Sequence, residues 1–212
     1  MGWLEDKIIK WQAAIDAIGG PGRGDMVTAG WEGLGDDPDK LAAWTGAAMA
    51  RLAEQVPDPE DRQRIMLDRA CVFTEEFGDE RILKLRKLYA ETGAVEAVLA
   101  AMREDRERFG QPYLENGKII EVRRPRDPAA YAKATNAYER QMAACFCPLI
   151  RATRKRIPLE YCCCSAGWYR GIYRGIFGRP VSVKVEQSLL NGDDRCRFSI
   201  RICPAEPTQS LP

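Results

Sequence analysis

The 212-residue sequence contains no histidine. That absence removes Ser-His and Cys-His catalysis, since a general base must then be a carboxylate, a thiolate, a lysine or a tyrosine. It also restricts any zinc site to Cys, Asp and Glu ligands. No Cys-x-x-Cys pair occurs, which argues against thioredoxin-like redox chemistry. The Gly-rich stretch Gly19-Gly-Pro-Gly-Arg-Gly24 follows a helical pattern and lacks a Gly-Lys-Ser/Thr ending, so it is read as a loop and not as a phosphate cradle. Long apolar runs are missing as well. The opening Met-Gly-Trp-Leu-Glu-Asp has no basic region, and Asp6 stands where a myristoylation signal needs Ser or Thr. A cytoplasmic protein without membrane contact is expected.

Net charge is nearly absent at +1, yet the two halves differ. Residues 1–100 carry 12 basic and 19 acidic side chains, and residues 101–212 carry 20 basic and 12 acidic ones. The arginines of the second half are scattered, with few aromatics between them, and the run Arg151-Ala-Thr-Arg-Lys-Arg156 reads as a solvated helix end. Nucleic acid is therefore not expected as a partner; a small anionic molecule fits the same charges. Homo-oligomerisation is left open by the sequence.

What is present is 45% apolar residues, enough for a sizeable core. Trp3, Leu4, Ile8, Trp11, Ile15 and Ile18 recur at helical spacing over 3–18. Further helices are expected near 38–55, 58–77, 79–91 and 93–107, with Asp58 as an N-cap and stops at Gly78 and Gly93. Cys71 falls among apolar positions of the second of these and reads as core filling. Beyond residue 112 the pattern changes: Tyr113 to Val122 is a hairpin around Asn116-Gly117, and a helix over about 128–145 and another after Pro148 follow.

The chain closes with a second hairpin, Arg179 to Ile202, in which Val181, Val183, Val185 and Leu189 share one face, and Cys196, Phe198, Ile200 and Ile202 share another. Val185 should face Phe198 if Asn191-Gly192 is a two-residue turn, and Glu186 should pair with Arg197 or a neighbour. The fold class is α+β: an all-helical N-terminal half, 1–108, then an antiparallel sheet of hairpins packed with helices, 109–204, and a tail, 205–212, the whole expected to form one compact unit.

Three of the eight cysteines are consecutive, Cys162-Cys163-Cys164, at the head of a helix. On that helix Cys164, Trp168, Ile172 and Ile176 form one row, and Cys163, Gly167, Gly171 and Gly175 another. The glycine row is either a close helix contact or a ligand groove with the Cys163 thiol at its end. Successive helical residues diverge by about 100°, so three adjacent cysteines cannot all enter one core. Thiols in a first helical turn are stabilised as thiolates by free N–H groups, making Cys163 and Cys164 candidate nucleophiles. A thiolate metal site could draw on Cys145, Cys147, Cys162, Cys164 and Cys196, with zinc as the metal, although no two have the usual two-residue gap. Packing alone is the plain alternative.

The closing stretch Val183-Lys-Val-Glu-Gln-Ser-Leu-Leu-Asn-Gly-Asp-Asp-Arg-Cys-Arg-Phe198 resembles the ending of the 4-vinyl-reductase domain superfamily, and is similar to that of the L-2-amino-thiazoline-4-carboxylate hydrolase-like proteins. The likeness covers 110–203, with motif content in 160–202; Gly192, Asp193, Cys196 and Phe198 match, while Ser188 stands where the pattern often has cysteine. The resemblance implies an antiparallel sheet packed by helices around a pocket for a small apolar or cyclic ligand, and names no single reaction. The expected function is a hydrolase-like protein opening a C–N or C–S bond of a small cyclic or thiol-derived acid. Cys163 or Cys164 would be the nucleophile and Cys196 would line the pocket. Arg170 or Arg174 would hold a substrate carboxylate, with Gly167, Trp168, Tyr169 and Gly171 beside it. A ligand-binding or zinc-thiolate module without catalysis is the alternative.

Overall fold

A computed structural model describes residues 3–35, 37–69, 79–106 and 109–204. Helix α1 (Trp3–Gly19) buries Ile8, Trp11 and Ile15, the stripe expected from their spacing. The short α2 (Arg23–Thr28) returns against it, and the contact requires glycine: a Cβ on Gly24 would lie 2.7 Å from the backbone of Gln12. Helices α3 (Pro38–Gln55) and α4 (Pro59–Asp68) each begin with Asp-Pro. Proline pre-sets the first turn, and the aspartate ahead of it caps the free amides: Asp37 accepts from Asp39 and Lys40, and Asp58 from Glu60 and Asp61. Helices α5 (Asp79–Thr92) and α6 (Val95–Glu104) complete the first half. The expected helix 58–77 is seen over 59–68, and its remainder from residue 70, with Cys71 and the stop at Gly78, lies outside the described residues.

Strands β1 (Tyr113–Glu115) and β2 (Lys118–Val122) form the first hairpin, with Tyr113 opposite Ile120 and both turn residues, Asn116 and Gly117, at positive φ. The helix expected over 128–145 is two helices, α7 (Pro128–Lys133) and α8 (Ala137–Ala144). The break has a local cause: the Asn136 side chain caps the Glu139 amide at 2.9 Å, while the Glu139 carboxylate reaches back to Thr135 N–H at 2.7 Å. Then come α9 (Pro148–Ala152), a 3₁₀ turn (Leu159–Cys162), α10 (Cys163–Phe177), β3 (Val181–Gln187), a second 3₁₀ turn (Leu189–Asn191) and β4 (Arg197–Ile202).

The architecture is α+β: one four-stranded antiparallel sheet in the order β1-β2-β4-β3, with helices as most of the chain. Val185 does face Phe198, but a bulge follows it, and the chain turns through Ser188 to Gly192 instead of a two-residue Asn-Gly turn. Glu186 accepts a hydrogen bond from Ser199 at 2.6 Å, and Arg197 pairs with Glu115 instead. Two cores lie side by side. One gathers α1, α3, α4 and α9 around Trp11, Leu52, Ile65 and Ile150; the other joins α5, α6, α10 and the sheet around Leu99, Met102, Tyr173 and Phe198. Helix α10 packs on α4 and α5 as well as on β3, so helical and sheet segments share its surface.

Candidate functional site

A cavity of about 340 Å³ occupies the end of the sheet's inner face beside the start of α10. Its sheet wall is made by Val122 at the end of β2, Val185 of β3 and Phe198 of β4. The α8–α9 junction forms a second wall, and the turn into α10 a third. Five of the eight cysteines line it: Cys145, Cys147, Cys162, Cys164 and Cys196. All are free thiols.

Local structure explains how three separated segments deliver them. Helix α8 stops at Cys145, whose extended backbone still donates its N–H to Gln141 at 2.9 Å. Pro148 then confines Cys147 to an extended conformation, so Cys145-Phe146-Cys147 forms a strap along the opening. Cys196 is carried by the strand that becomes β4, its carbonyl accepting the Arg123 N–H at 2.9 Å. The Gly192-Asp193 pair closes the adjoining loop: Gly192 sits at φ 87, where a side chain would be strained, and the Asp193 carboxylate accepts the Ser188 N–H at 2.8 Å. That loop sets Ser188 and Leu189 into the cavity wall.

The consecutive cysteines divide as helical rotation requires. Cys162 and Cys164 open to the cavity, whereas Cys163 packs against the first core. This corrects the reading of Cys163 as a pocket nucleophile. Activation by the helix start also fails for it: the 3₁₀ turn ahead of α10 consumes its N–H, which donates to the carbonyls of Glu160 and Tyr161. Burial, reinforced by neighbouring thiols, pushes the Cys163 thiol up to about 11, Cys145 up to about 12, and Cys162 well above the ordinary value of 9.0. At neutral pH these are neutral S–H groups.

Zinc does not fit this arrangement. Among the described residues no group of three or more Cys, Asp or Glu side chains is placed to hold a metal ion, although all five nominated cysteines share the cavity.

The nominated substrate-holding residues lie elsewhere. Arg170 is ion-paired with Asp68 at the end of α4, and Arg174 is exposed away from the cavity. Of the glycine row, Gly175 is a close helix contact, with Ile82 2.8 Å from where a Cβ would stand and the Arg86 side chain donating to its carbonyl at 2.6 Å. Gly171 faces open space and Gly167 is buried; neither lines the cavity. Tyr169 is buried behind Phe198, ring centroids 4.8 Å apart. Trp168 does not line the cavity; the Arg123 guanidinium, which does, lies 5.3 Å from its ring. Four side chains are candidate bases for the cysteines, Glu160, Glu186, Tyr161 and Tyr169: Glu160 is exposed, Glu186 sits with Ser199 off the cavity and Tyr169 is buried behind Phe198, whereas Tyr161 lines the cavity.

Three groups that sequence reasoning passed over shape the electrostatics. Arg123 lines the cavity between Phe146, 4.4 Å away, and Trp168, and no carboxylate pairs with it among the described residues. Arg69 is only 2% exposed and lies between Trp11, at 4.2 Å, and Tyr161, at 4.4 Å; its Nε and Nη1 are buried without a hydrogen-bond partner among the described residues. Tyr161 is itself a cavity wall, with the buried Lys7 ammonium 5.5 Å from its ring. Glu121, 2% exposed on β2, accepts the Tyr173 hydroxyl at 2.7 Å while its second oxygen has no partner. Burial raises that carboxyl to about 7, against smaller opposing effects of Tyr173 and Arg123. Isolated arginines and an acidic residue in an apolar strand carry no periodic signal, which is why they were missed; the unpatterned Glu121 between Ile120 and Val122 was the one visible anomaly.

No protein-family model, curated protein or solved structure matches the chain. Among the described residues no helix is long and apolar enough to cross a membrane.

Proposed function

We propose that the chain binds a small, largely apolar molecule carrying one anionic group in this cavity. The observation that carries the reading is Arg123: a guanidinium in a largely apolar wall that also carries five thiols, held between two aromatic rings and ion-paired with no carboxylate among the described residues. A charge presented in a partly dry site attracts an opposite charge far more strongly than one in bulk water. Arg195 adds positive charge at the opening, and Arg69 and Lys7 stand behind Tyr161. The only acidic lining residue is Asp194, which is exposed and whose carbonyl is taken by the Tyr131 hydroxyl. The volume suits a ligand of one or two rings.

The test uses two fluorescent probes that differ by a charge: anilinonaphthalene sulfonate and the neutral N-phenyl-naphthylamine. The anionic probe should bind about tenfold more tightly, and Arg123→Gln should reduce the two affinities to near equality. Equal binding of both probes by the unaltered protein would remove the reading.

The hydrolase-like reading, with membership of the superfamily that the closing motif resembles, keeps one support: Cys164 and Cys196, two of its three nominated thiols, face the same cavity. Of its candidate bases Tyr161 lines that cavity, where burial raises its hydroxyl above the ordinary value. Its test is loss of thiazoline absorbance on incubation with aminothiazoline carboxylate, and loss of that activity in Cys164→Ser or Cys196→Ser.

A further inference from the structure

The concentration of thiols exceeds what packing needs. Cys163 joins an apolar cluster and is absent from the cavity wall, whereas Cys145, Cys147 and Cys196 pack on such clusters and also line the cavity; Cys203 lies off it near the end of β4, its thiol within 3.9 Å of the Arg201 carbonyl. The other five come from three chain segments, the α8–α9 junction, the turn into α10 and the start of β4, and all open onto one space. Cys162 is central among them: Cys145, Cys164 and Cys196 are each close enough to act on its thiol electrostatically. The surrounding walls, Val185, Leu189, Ile150 and Phe198, are apolar.

A ligand for this set must satisfy three constraints together. It must engage more than one thiol, because five from three chain segments open onto one space. It must not be a cation, since Arg123 lies in the wall and no trio of ligands is assembled. It must carry an apolar part to fill the remaining space.

We infer that the cavity is a binding site for a trivalent organoarsenical, an arsenic atom bearing one carbon substituent and two hydroxyls, which joins Cys162 and a second thiol among Cys145, Cys164 and Cys196. In the condensation two S–H and two As–O bonds break, two As–S bonds form, and each hydroxyl leaves as water with a thiol proton. Arsenic remains trivalent, no oxidant or base is consumed, and the net charge of the site is unchanged. The carbon substituent takes the place against Phe198, Val185 and Leu189. This inference does not depend on the anionic ligand proposed above, since the arsenical is neutral.

Phenylarsine oxide, which hydrates to such a species, is the probe. Native protein should take up one arsenic per chain, and mass mapping of the arsenic adduct should place it on Cys162 and one of its three cavity neighbours, with none on Cys163 or Cys203. Inorganic arsenite, which lacks the apolar substituent, should bind at least about tenfold more weakly. Cys162→Ser should lose at least about tenfold in affinity, and Cys163→Ser should lose none. Arsenic on Cys163 in place of Cys162, or equal affinity in urea-unfolded chain, would overturn the inference, because adjacent cysteines would then be acting without the fold. The mapping on unaltered protein decides the matter even where a variant fails to fold.

Discussion

Replacing Glu121 by glutamine should change how stability depends on pH. The carboxyl is ordinarily half-protonated at pH 4.5 and is raised by burial to about 7 in the folded chain. Between those values the folded protein holds a proton that the unfolded chain has released, so stability falls as pH rises. The contribution is fully present below pH 4.5, declines through the window and is gone above about 7. At roughly 1.4 kcal/mol per pH unit the interval corresponds to about 3 kcal/mol. Glu121→Gln keeps an acceptor for the Tyr173 hydroxyl and never ionises, so the variant should be more stable than the parent at pH 8 by an amount of that order and should match it near pH 5. The window is clean: the chain has no histidine, and the cavity thiols with resolved shifts move upward, away from it. Asp37 and Glu139, whose carboxyls are held below their ordinary values by amide and hydroxyl donors, lose stability only as pH falls toward the acid side. Urea unfolding midpoints from pH 5 to pH 8 for both proteins measure the effect. Parallel profiles, or a parent whose stability rises across the window, would refute a buried, protonated Glu121.

Gly175→Ala should destabilise by about 1–3 kcal/mol, because the added methyl meets Ile82 at 2.8 Å, whereas Gly171→Ala, facing open space on the same helix, should stabilise by up to about 1 kcal/mol; thermal melts separate them. Cys145 and Cys162 should be alkylated at pH 7.5 much more slowly in the native protein than in urea, and faster only as pH approaches their raised values; rapid native labelling of Cys162 would show a thiolate that burial forbids. Arg69→Met keeps the stack between Trp11 and Tyr161 but removes its charge, so it should lower the preference for anionic over neutral probe by several-fold with little change in neutral-probe affinity; an unchanged ratio would confine Arg69 to packing.

What the sequence made legible was whatever repeats at short range. The stripe Ile8, Trp11, Ile15 predicts α1, Asn116-Gly117 predicts the first hairpin, and alternation places Val185 against Phe198 even though the connecting loop is built differently. The break between α7 and α8 was also written locally, in Asn136-Ala-Tyr-Glu139, but a capping box inside a continuous helical pattern is outweighed by periodicity unless it is sought. The site was half legible. Helical rotation separates Cys163 from its neighbours in principle, yet only the packing of α10 decides that Cys163 is the one turned inward to the first core. Arg170 looked free on a polar row because its partner, Asp68, is distant in sequence and adjacent only after α4 and α10 dock.

The Gly192-Asp193 pair shows the same division between local pattern and distant consequence. Gly192 and Asp193 touch no ligand-facing chemistry themselves: one permits a left-handed turn and the other fastens the Ser188 amide. Their effect is to hold Leu189 and Cys196 on either side of one loop, both facing the cavity. Asp193→Ala should therefore weaken probe binding without removing any group that contacts the probe, by freeing the Ser188 N–H from its only side-chain acceptor among the described residues. Asp193→Asn retains an acceptor for that amide and should restore most of the affinity. If the alanine and asparagine variants bind alike, the loop does not owe its shape to this carboxylate, and the motif acts through Gly192 alone.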